Sequence, residues 1–302
     1  MANAAASMHA ENLYRQRKTR ENIIAALLFC AAAVAMVAVL LITIYIWRQG
    51  WPILAKAGPL KFFFGRTWQP TYGIFGILSQ VVGSLYVTIG ALCIAVPFGV
   101  LGALFLAEFA PRKIADYMRP AISLLAAIPS VVYGFVGLRL LVPWLQGPTG
   151  GVGLSLLAGA IVLSIMILPT IISISEDAIR AVPPDYLEAS LGLGATQWQT
   201  SWRVLLPAAR SGILASIILG AGRAIGETMA VMMVTGSRFT VPTSMLQPGA
   251  TLTGTIGMEF GYAGPDHQHA LFAMGVVLFI FIVFMNGIVR IVARGARKGA
   301  AK

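Results

Sequence analysis

Residues 23–47 read IIAALLFCAAAVAMVAVLLITIYIW, a run of 25 residues without a charged side chain. As a helix with a rise of about 1.5 Å per residue, this run would be roughly 38 Å long. It is therefore long enough to cross a hydrocarbon core of about 30 Å with some tilt. A secretory signal has a shorter apolar core of about 7–15 residues. The run thus predicts a retained first transmembrane helix behind a polar tail of residues 1–22.

The composition of the whole chain agrees with a membrane protein. Of its 302 residues, 58% are AVILMFWYC residues and 11% are charged, whereas soluble domains carry about 25% charged residues. So little charge excludes an ordinary soluble enzyme, a disordered protein and a fibrous repeat. We interpret the net charge of +11 as basic loops that set orientation in a lipid membrane, and we expect no nucleic-acid partner.

Five further apolar runs follow the first. They are long and continuous, without the alternation of apolar and polar residues that is typical of a barrel strand. We therefore predict an all-α integral membrane protein with six transmembrane helices. The five further helices are expected near residues 77–107, 121–144, 154–175, 212–235 and 270–292.

The lysines and arginines predict the orientation of these helices. Fifteen of them fall in the two tails and in the loops on the same side, and five fall in the opposite loops. Because basic residues accumulate on the cytoplasmic side, both termini are expected in the cytoplasm, including a basic tail of residues 293–302. The segment 48–76 is then extracytoplasmic, and its many aromatic residues predict an interfacial belt or a short amphipathic piece.

The cytoplasmic segment 176–210 contains the signals of two short helices. Pro183 and Pro184 are suited to open a helix, because the first turn does not need their missing N–H groups. Gly192 and Gly194 end that helix and permit a tight turn.

The second short helix is predicted from a capping box. Thr196 and Gln199 have the spacing at which the two side chains cap each other's backbone N–H groups. We expect this helix to end at Pro207. The segment as a whole therefore predicts two short helices joined by a glycine elbow.

The same segment resembles the EAA motif of binding-protein-dependent ABC importer permeases, in which EAA is followed by three residues, Gly, nine residues and Ile-x-Leu-Pro. Here the chain has Glu188-Ala189-Ser190, Gly194 and Val204-x-Leu206-Pro207, with Ser190 and Val204 as mild departures. The resemblance implies a type I importer permease fold in which the first short helix is a coupling helix. It assigns contact with a separate ATPase subunit to Glu188, Ala189, Gly192, Gly194 and Pro207.

The ATPase is expected to be a different polypeptide. The chain contains no Walker A pattern, GxxxxGK[ST], which is the loop that cradles phosphates in such enzymes. We therefore expect no catalytic residue and no cofactor in this chain, with ATP and Mg²⁺ bound by the partner ATPase.

Longer stretches resemble the PstC-type permeases of phosphate importers. These stretches are Ile128–Leu138, Leu168–Ile213, Gly220–Val231 and Thr251–Gly261. The resemblance implies that residues 77–292 form the transport domain of a phosphate importer in a bacterial inner membrane. The expected partners are a second permease subunit of the PstA type, a dimeric ATPase and an extracytoplasmic phosphate-binding protein.

The predicted fifth span contains the charges that most need an explanation. Arg223 is the twelfth residue of 212–235, near the bilayer midplane, and Glu227 follows at i+4 on the same helical face. A lone arginine at that depth costs roughly 2.5–3.5 kcal/mol. The pair is either an internal ion pair that holds helices together or part of the path, with Arg223 as donor to an oxyanion and Glu227 as its holder or gate.

Three other groups have open assignments. Arg139, near the outer end of the third span, is expected to extend towards the interface or to contact an anion. The outer loop with Glu259, Asp266, His267 and His269 is expected to face an extracytoplasmic partner and not to hold a metal. We interpret Cys30 and Cys93 as small core residues.

Two alternative functions remain at this stage. An importer for another oxyanion, such as sulfate or molybdate, would share the same arginine chemistry. A membrane-embedded enzyme or a passive channel is disfavoured, because the sequence has no HExxH or GxSxG motif and a channel needs no EAA-type loop.

Overall fold

The computed structural model describes residues 2–149 and 151–298, and the chain divides into two units, Met1–Gln49 and Gly50–Lys302. The first unit is made of helix α1, whose full bounds are Ala2–Ala57. From Ile23 onward, nearly all large apolar side chains of this unit are exposed, for example Phe29 at 74%. An all-round apolar and exposed helix is typical of a membrane span. The predicted first helix is confirmed, although α1 continues ten residues beyond Trp47.

The second unit contains the remaining elements, which are mostly helices. The helices are α2 (Pro59–Phe64), α3 (Leu78–Leu104), α4 (Arg112–Ala127), α5 (Ser130–Val136), α6 (Val142–Thr149), α7 (Leu156–Arg180), α8 (Pro184–Gly192), α9 (Gln197–Thr200), α10 (Leu206–Gly226), α11 (Met229–Thr235), α12 (Leu252–Glu259) and α13 (Pro265–Lys298). Three wider helical turns adjoin them at Phe105–Phe109, Gly137–Leu141 and Ser201–Leu205. Strands β1 (Trp68–Gln69) and β2 (Ile74–Phe75) form one antiparallel hairpin.

Within the described residues the number of spans is five, or six if one bent helix pair counts as a span, and the prediction of six lies in this range. Five segments are long and apolar enough to cross a membrane: Arg20–Ala57, Leu78–Phe109, Leu156–Arg180, Gln197–Gly226 and Pro265–Phe284. The pair Arg112–Ala127 and Ser130–Gly147, which is bent by 92°, is either a broken sixth span or a re-entrant loop.

The predicted third and fifth spans are wrong as single straight helices. The third breaks at Ile128–Pro129, because proline disfavours helical geometry in the residue before it and cannot donate to the preceding turn. The fifth begins at Gln197, before residue 212, and ends at Gly226, and α11 follows as a separate short helix. At the other end of the chain, α13 continues to Lys298, and the last four residues of the predicted basic tail 293–302 lie outside the described residues.

Close packing of α3, α7 and α10 forms the centre of the second unit. Val87 and Ala91 of α3 share one buried apolar cluster with Leu163 and Ile167 of α7. Glycines allow the close approach: a Cβ at Gly99 would lie 2.6 Å from the Ile171 side chain. Cys30 and Cys93, by contrast, are exposed free thiols. The prediction that they are core residues is therefore wrong.

The segment 48–76 contains the end of α1, the short helix α2 and the β-hairpin. Phe62 of α2 and Trp68 of β1 are almost fully buried, in a cluster with α12 and α13 residues. An interfacial belt does not account for these two rings, because they contact protein. The other face of α2 is exposed and largely apolar, and the predicted interfacial or amphipathic role of this segment stays a prediction.

Candidate functional site

An exposed elbow, defined here as residues 184–200, joins α7 to α10. Pro184 is the first residue of α8 and Pro183 precedes it, as predicted from their missing N–H groups. After Gly192 ends the helix, Gly194 adopts φ +85° with no atom within 4 Å of its Cβ direction. This left-handed backbone favours glycine. The glycine turn between the two short helices is confirmed.

The second half of the elbow begins with the predicted capping box. The Thr196 hydroxyl accepts the Gln199 backbone N–H at 3.3 Å, and the Gln199 side chain accepts the Thr196 backbone N–H at 2.9 Å. The helix does not end at Pro207, however, and that prediction is wrong. Pro207 lies in the first turn of α10, just after the wider turn Ser201–Leu205. A wider turn changes the local hydrogen-bond pattern, so the proline is accommodated and the helix continues.

Two hydrogen bonds hold the elbow in place. The Ser190 hydroxyl lies 2.8 Å from the Thr200 hydroxyl, which joins α8 to α9. The Gln197 side chain donates to the Glu108 carbonyl at 2.9 Å, which joins α9 to the end of the second span. Ser190 is the residue that departs from the EAA motif, and an alanine there would lack this bond.

The outward surface of the elbow is open. Within the described residues, α8 has no buried side chain, and Glu188 forms no hydrogen bond or ion pair. Leu193 is 90% exposed between the two glycines. Exposed apolar side chains beside a free carboxylate are typical of a surface that binds another protein. Glu188, Ala189, Gly192 and Gly194 therefore lie together on one accessible surface, while Pro207 lies apart in α10.

A buried carboxylate lies one helix earlier and was missed by the sequence analysis. Glu176 of α7 is 5% exposed. It accepts from Arg119 Nε at 2.8 Å and from Arg180 Nε at 2.9 Å. Arg180 also donates to the Leu106 carbonyl at 2.9 Å. The i,i+4 spacing of Glu176 and Arg180 was a usable signal, but nothing local indicates Arg119.

The break between α10 and α11 separates the two charges that were predicted to share a helical face. Arg223 lies in the last turn of α10, whereas Glu227 follows the helix end with extended backbone at ψ 129°. The Glu227 carboxylate accepts the Ala230 backbone N–H at 3.1 Å and so caps α11. No ion pair joins Glu227 to Arg223 in the described part of the chain. The predicted i,i+4 arrangement is wrong, because the helix does not continue through Gly226.

Arg223 has a polar neighbour on another helix. Its Nη1 donates to the Thr170 hydroxyl of α7 at 3.4 Å. Tyr133 of α5 donates to the Leu125 carbonyl at 2.7 Å and so bridges the bend between α4 and α5. Arg223 is half-buried. It thus lies beside a hydroxyl, three residues before the end of α10 at Gly226.

The two helix breaks are neighbours in the fold. A Cβ at Gly134 of α5 would lie 2.9 Å from the Ala230 Cα of α11, so these short helices touch through their backbones. Non-helical backbone at membrane depth is tolerated where protein buries it or where it lines a water-filled cavity. Interrupted helices of this kind form binding sites in many transporters. The paired breaks beside Arg223 are therefore the candidate translocation site.

Arg139 has a different environment. It lies in the wider turn Gly137–Leu141, is exposed, and places its guanidinium 5.8 Å from the centre of the Phe135 ring. This is a cation–π contact. A role of Arg139 in the path stays a prediction.

The outer polar residues form a compact cluster. Glu259, 5% exposed, accepts from the Trp68 indole N–H and lies 2.8 Å from His267 Nε2. Burial, with the nearby Glu259 carboxylate, raises the pKa of the Tyr262 hydroxyl. Asp266 pairs with Lys56. Three of the four predicted loop residues thus serve internal contacts, and the buried Glu259 is not available to a partner protein.

The spanning helices, the paired breaks and the exposed elbow together define a multi-pass membrane permease. The chain belongs to the family of binding-protein-dependent transport system inner membrane components, which it matches over residues 95–298. Members of this family are non-catalytic transmembrane subunits that work with an ATPase and a substrate-binding protein, as predicted. The predicted location in a bacterial inner membrane is likewise confirmed.

Several curated proteins are similar over most of their length. The chain is 41% identical over 284 residues to the probable ABC transporter permease protein YqgH of Bacillus subtilis, covering 90% of this chain and 92% of that protein. It is 36% identical over 296 residues to the phosphate transport system permease protein PstC of Mesorhizobium japonicum, covering 89% and 90%. It is 32% identical over 293 residues to PstC 2 of Mycobacterium tuberculosis, covering 89% and 90%.

Solved structures support the fold. The MetNI methionine ABC transporter aligns with a TM-score of 0.55 at 21% identity, over 73% of this chain and 94% of the other. A bacterial alginate ABC transporter aligns with a TM-score of 0.52 at 15% identity, over 85% and 94%. The predicted type I ABC importer permease fold is confirmed.

Proposed function

We propose that this chain is a transmembrane subunit of an ATP-driven importer of inorganic phosphate. The observation that carries the proposal is the exposed elbow with its EAA-type spacing in a chain whose relatives include several phosphate permeases. The chain supplies half of the path, and a second, PstA-type permease supplies the other half. This subunit performs no covalent chemistry, and its work is differential binding between two states of the path.

The coupling step follows from the elbow. A dimeric ATPase receives α8, and the free Glu188 carboxylate meets a basic side chain there. Closure of the ATPase on ATP moves α8, and the wider turn Ser201–Leu205 carries that movement directly into α10, since the helix is continuous through Pro207. Both termini and the elbow are then cytoplasmic, as the lysine and arginine distribution predicts.

The substrate step is assigned to Arg223. A guanidinium donates two parallel hydrogen bonds to an oxyanion, and the long 3.4 Å bond from Arg223 to Thr170 is weak enough to be exchanged for them. The hydroxyl of Thr170 is a further donor for a phosphate oxygen. Glu227 is held by α11 in this state and would repel an approaching anion, which gives it the role of a gate. Arg139 is a secondary contact along the path.

Uptake of labelled phosphate at low micromolar concentration tests the function. A host without its own high-affinity system receives this chain with its partner subunits, including the extracytoplasmic phosphate-binding protein. We expect uptake that requires ATP and is displaced by arsenate but not by sulfate or molybdate. Displacement by sulfate would mean that the chain is a permease of an importer for another oxyanion. Uptake independent of ATP would reject the coupled mechanism.

The variant Arg223→Gln tests the site. It keeps hydrogen-bonding capacity but removes the charge, so uptake is expected to fall at least tenfold while the complex still assembles. Arg139→Gln is the matched control with a smaller expected loss. Normal uptake by Arg223→Gln would remove Arg223 from the path.

A further inference from the structure

A basic cleft lies beside α2 and the β-hairpin, on the side predicted to be extracytoplasmic. Its volume is about 660 Å³. Three cations line it, Lys56, Lys61 and Arg66, and none of its lining residues is Asp or Glu. Its remaining surface includes the apolar side chains of Leu60 and Phe64. The cleft therefore combines positive charge with apolar surface.

The frame of this cleft is rigid. Gly65 and Gly76 touch so closely that a Cβ at Gly76 would lie 2.6 Å from the Gly65 carbonyl oxygen. The Leu78 N–H donates to the Gly65 carbonyl at 3.1 Å, and the Ile77 N–H donates to the Phe62 carbonyl at 3.0 Å. With Phe62 fully buried, the backbone that carries the cations is fixed to the protein core. The cleft is thus built into the fold and does not depend on a loose loop.

Two of the three cations are available to a ligand. Lys56 is paired with Asp266, whereas Lys61 and Arg66 form no hydrogen bond or ion pair through their side chains among the described residues. Both are exposed. Lys61 and Arg66 are positioned to bind an anion. Lys56 adds positive electrostatic potential to the cleft but no free hydrogen-bond donor.

The apolar part identifies the kind of anion. Leu60 and Phe64 stand at i,i+4 on one face of α2 and are 74% and 68% exposed. A free oxyanion would contact the cations and leave this apolar ridge unused. A phospholipid uses both parts, because its phosphate meets the cations while its acyl chains cover the ridge.

The location agrees with that chemistry. The cleft begins at Lys56, in the last turn of α1 and beyond the apolar run 23–47, on the headgroup side of the hydrocarbon. We infer that the basic cleft is a specific binding site for an acidic phospholipid, with the headgroup phosphate on Lys61 and Arg66 and an acyl chain on Leu60 and Phe64. This site is separate from the path and does not rest on the transported substrate.

Native mass spectrometry of the whole transporter complex tests the inference. The complex is delipidated and titrated with dioleoylphosphatidylglycerol, and with dioleoylphosphatidylcholine as the neutral comparison. Each basic residue near a membrane surface changes lipid affinity about fivefold. We therefore expect Lys61→Gln/Arg66→Gln to weaken the tightest phosphatidylglycerol binding about 25-fold, and Lys61→Arg/Arg66→Lys to retain it.

Two further arms separate this site from its alternatives. Arg112→Gln/Lys113→Gln removes the same two charges from the exposed start of α4 and should leave the tightest binding unchanged. Equal weakening by that pair would show general attraction and overturn the inference. Leu60→Ser/Phe64→Ser should weaken phosphatidylglycerol binding. No effect of that change, or displacement of the lipid by millimolar inorganic phosphate, would make the cleft a site for free phosphate and reject the lipid.

Discussion

Two glutamates twelve residues apart occupy opposite environments at the same end of the molecule. Glu188 lies on the exposed surface of α8 and forms no ion pair among the described residues, whereas Glu176 is buried and accepts from two arginines. The same side chain is therefore available to another protein in one place and joins three parts of this protein in the other. The elbow is therefore a surface suited to bind another protein, and the end of α7 is the fixed part of the fold that supports it.

The largest effect on stability is expected from a change at Glu176, at the end of α7 that supports the elbow. Glu176→Ala leaves Arg119 and Arg180 without their shared carboxylate. Breaking a buried pair costs about 3–5 kcal/mol when the remaining charge is fully buried. Because the two arginines keep 38% and 45% of their side-chain surface exposed, we expect a loss of about 2–3 kcal/mol in the free energy of unfolding. The measurement is thermal unfolding of the purified complex.

The neighbouring residue provides a matched control for that variant. Asp177→Ala removes an exposed carboxylate from the next position of the same helix, and surface changes of this kind stay within about 0.5 kcal/mol. Equal Tm values for the Glu176 and Asp177 variants would contradict the supporting role of Glu176.

The second prediction concerns the recognition side of the comparison. Glu188→Lys reverses the charge on an exposed helix, so the Tm of the isolated permease should change little. Stimulation of the ATPase by the permease should fall at least tenfold, because the lysine repels the expected basic partner. ATPase stimulation in proteoliposomes measures this. Asp177→Lys makes the same charge change outside the elbow and should keep stimulation. Full stimulation by Glu188→Lys would remove Glu188 from the docking surface.

The elbow was predictable and the path was not, for a physical reason. The proline start, the glycine turn and the Thr196–Gln199 box act over a few residues, so a single segment specifies them. The break after Gly226 depends on distant contacts instead: the Thr253 hydroxyl donates to the Glu227 carbonyl at 2.9 Å from 26 residues away. Arg119 reaches Glu176 across 57 residues. The apolar run of the fifth span contains no information about either contact. The predicted fifth helix therefore continued through the break.

The ends of the spans show the same limit. An apolar run measures how much chain is in the bilayer, while a helix ends where its hydrogen bonds stop. The helix of the fifth span begins in the polar elbow at Gln197, and α1 continues to Ala57 past Trp47. The number of spans was therefore predictable from composition to within one, although the ends of several helices lay outside their apolar runs.

The third prediction compares the two glycines of the elbow. Gly194 has φ +85°, where a Cβ costs about 1–2 kcal/mol, so Gly194→Ala should loosen α8. Gly192 has ordinary helical backbone and open space, so Gly192→Ala should stabilise α8 by about 1 kcal/mol. Hydrogen exchange of the α8 amides is expected to rise in the first variant and fall in the second. The same direction in both would show that the left-handed turn does not hold the elbow.

The smallest expected effect tests how the elbow is joined to its support. Ser190→Ala removes the 2.8 Å bond to Thr200, whose side chain is fully buried, and it restores the alanine of the EAA motif. A lost hydrogen bond of this type costs about 0.5–1.5 kcal/mol, and most of it comes from the group left unpaired. Thr200→Val in the Ser190→Ala background removes that group as well and should recover part of the loss.

A double-mutant cycle on hydrogen exchange of α8 and α9 measures this coupling between Ser190 and Thr200. A coupling energy of about 1 kcal/mol would show that this chain has exchanged the motif's alanine for a direct link between its two short helices. Additive effects would mean that the hydroxyls are close without holding the elbow. The orientation of α8 would then depend on the Gln197 bond to the Glu108 carbonyl and on the left-handed turn at Gly194. No direct bond between α8 and α9 would then hold the elbow.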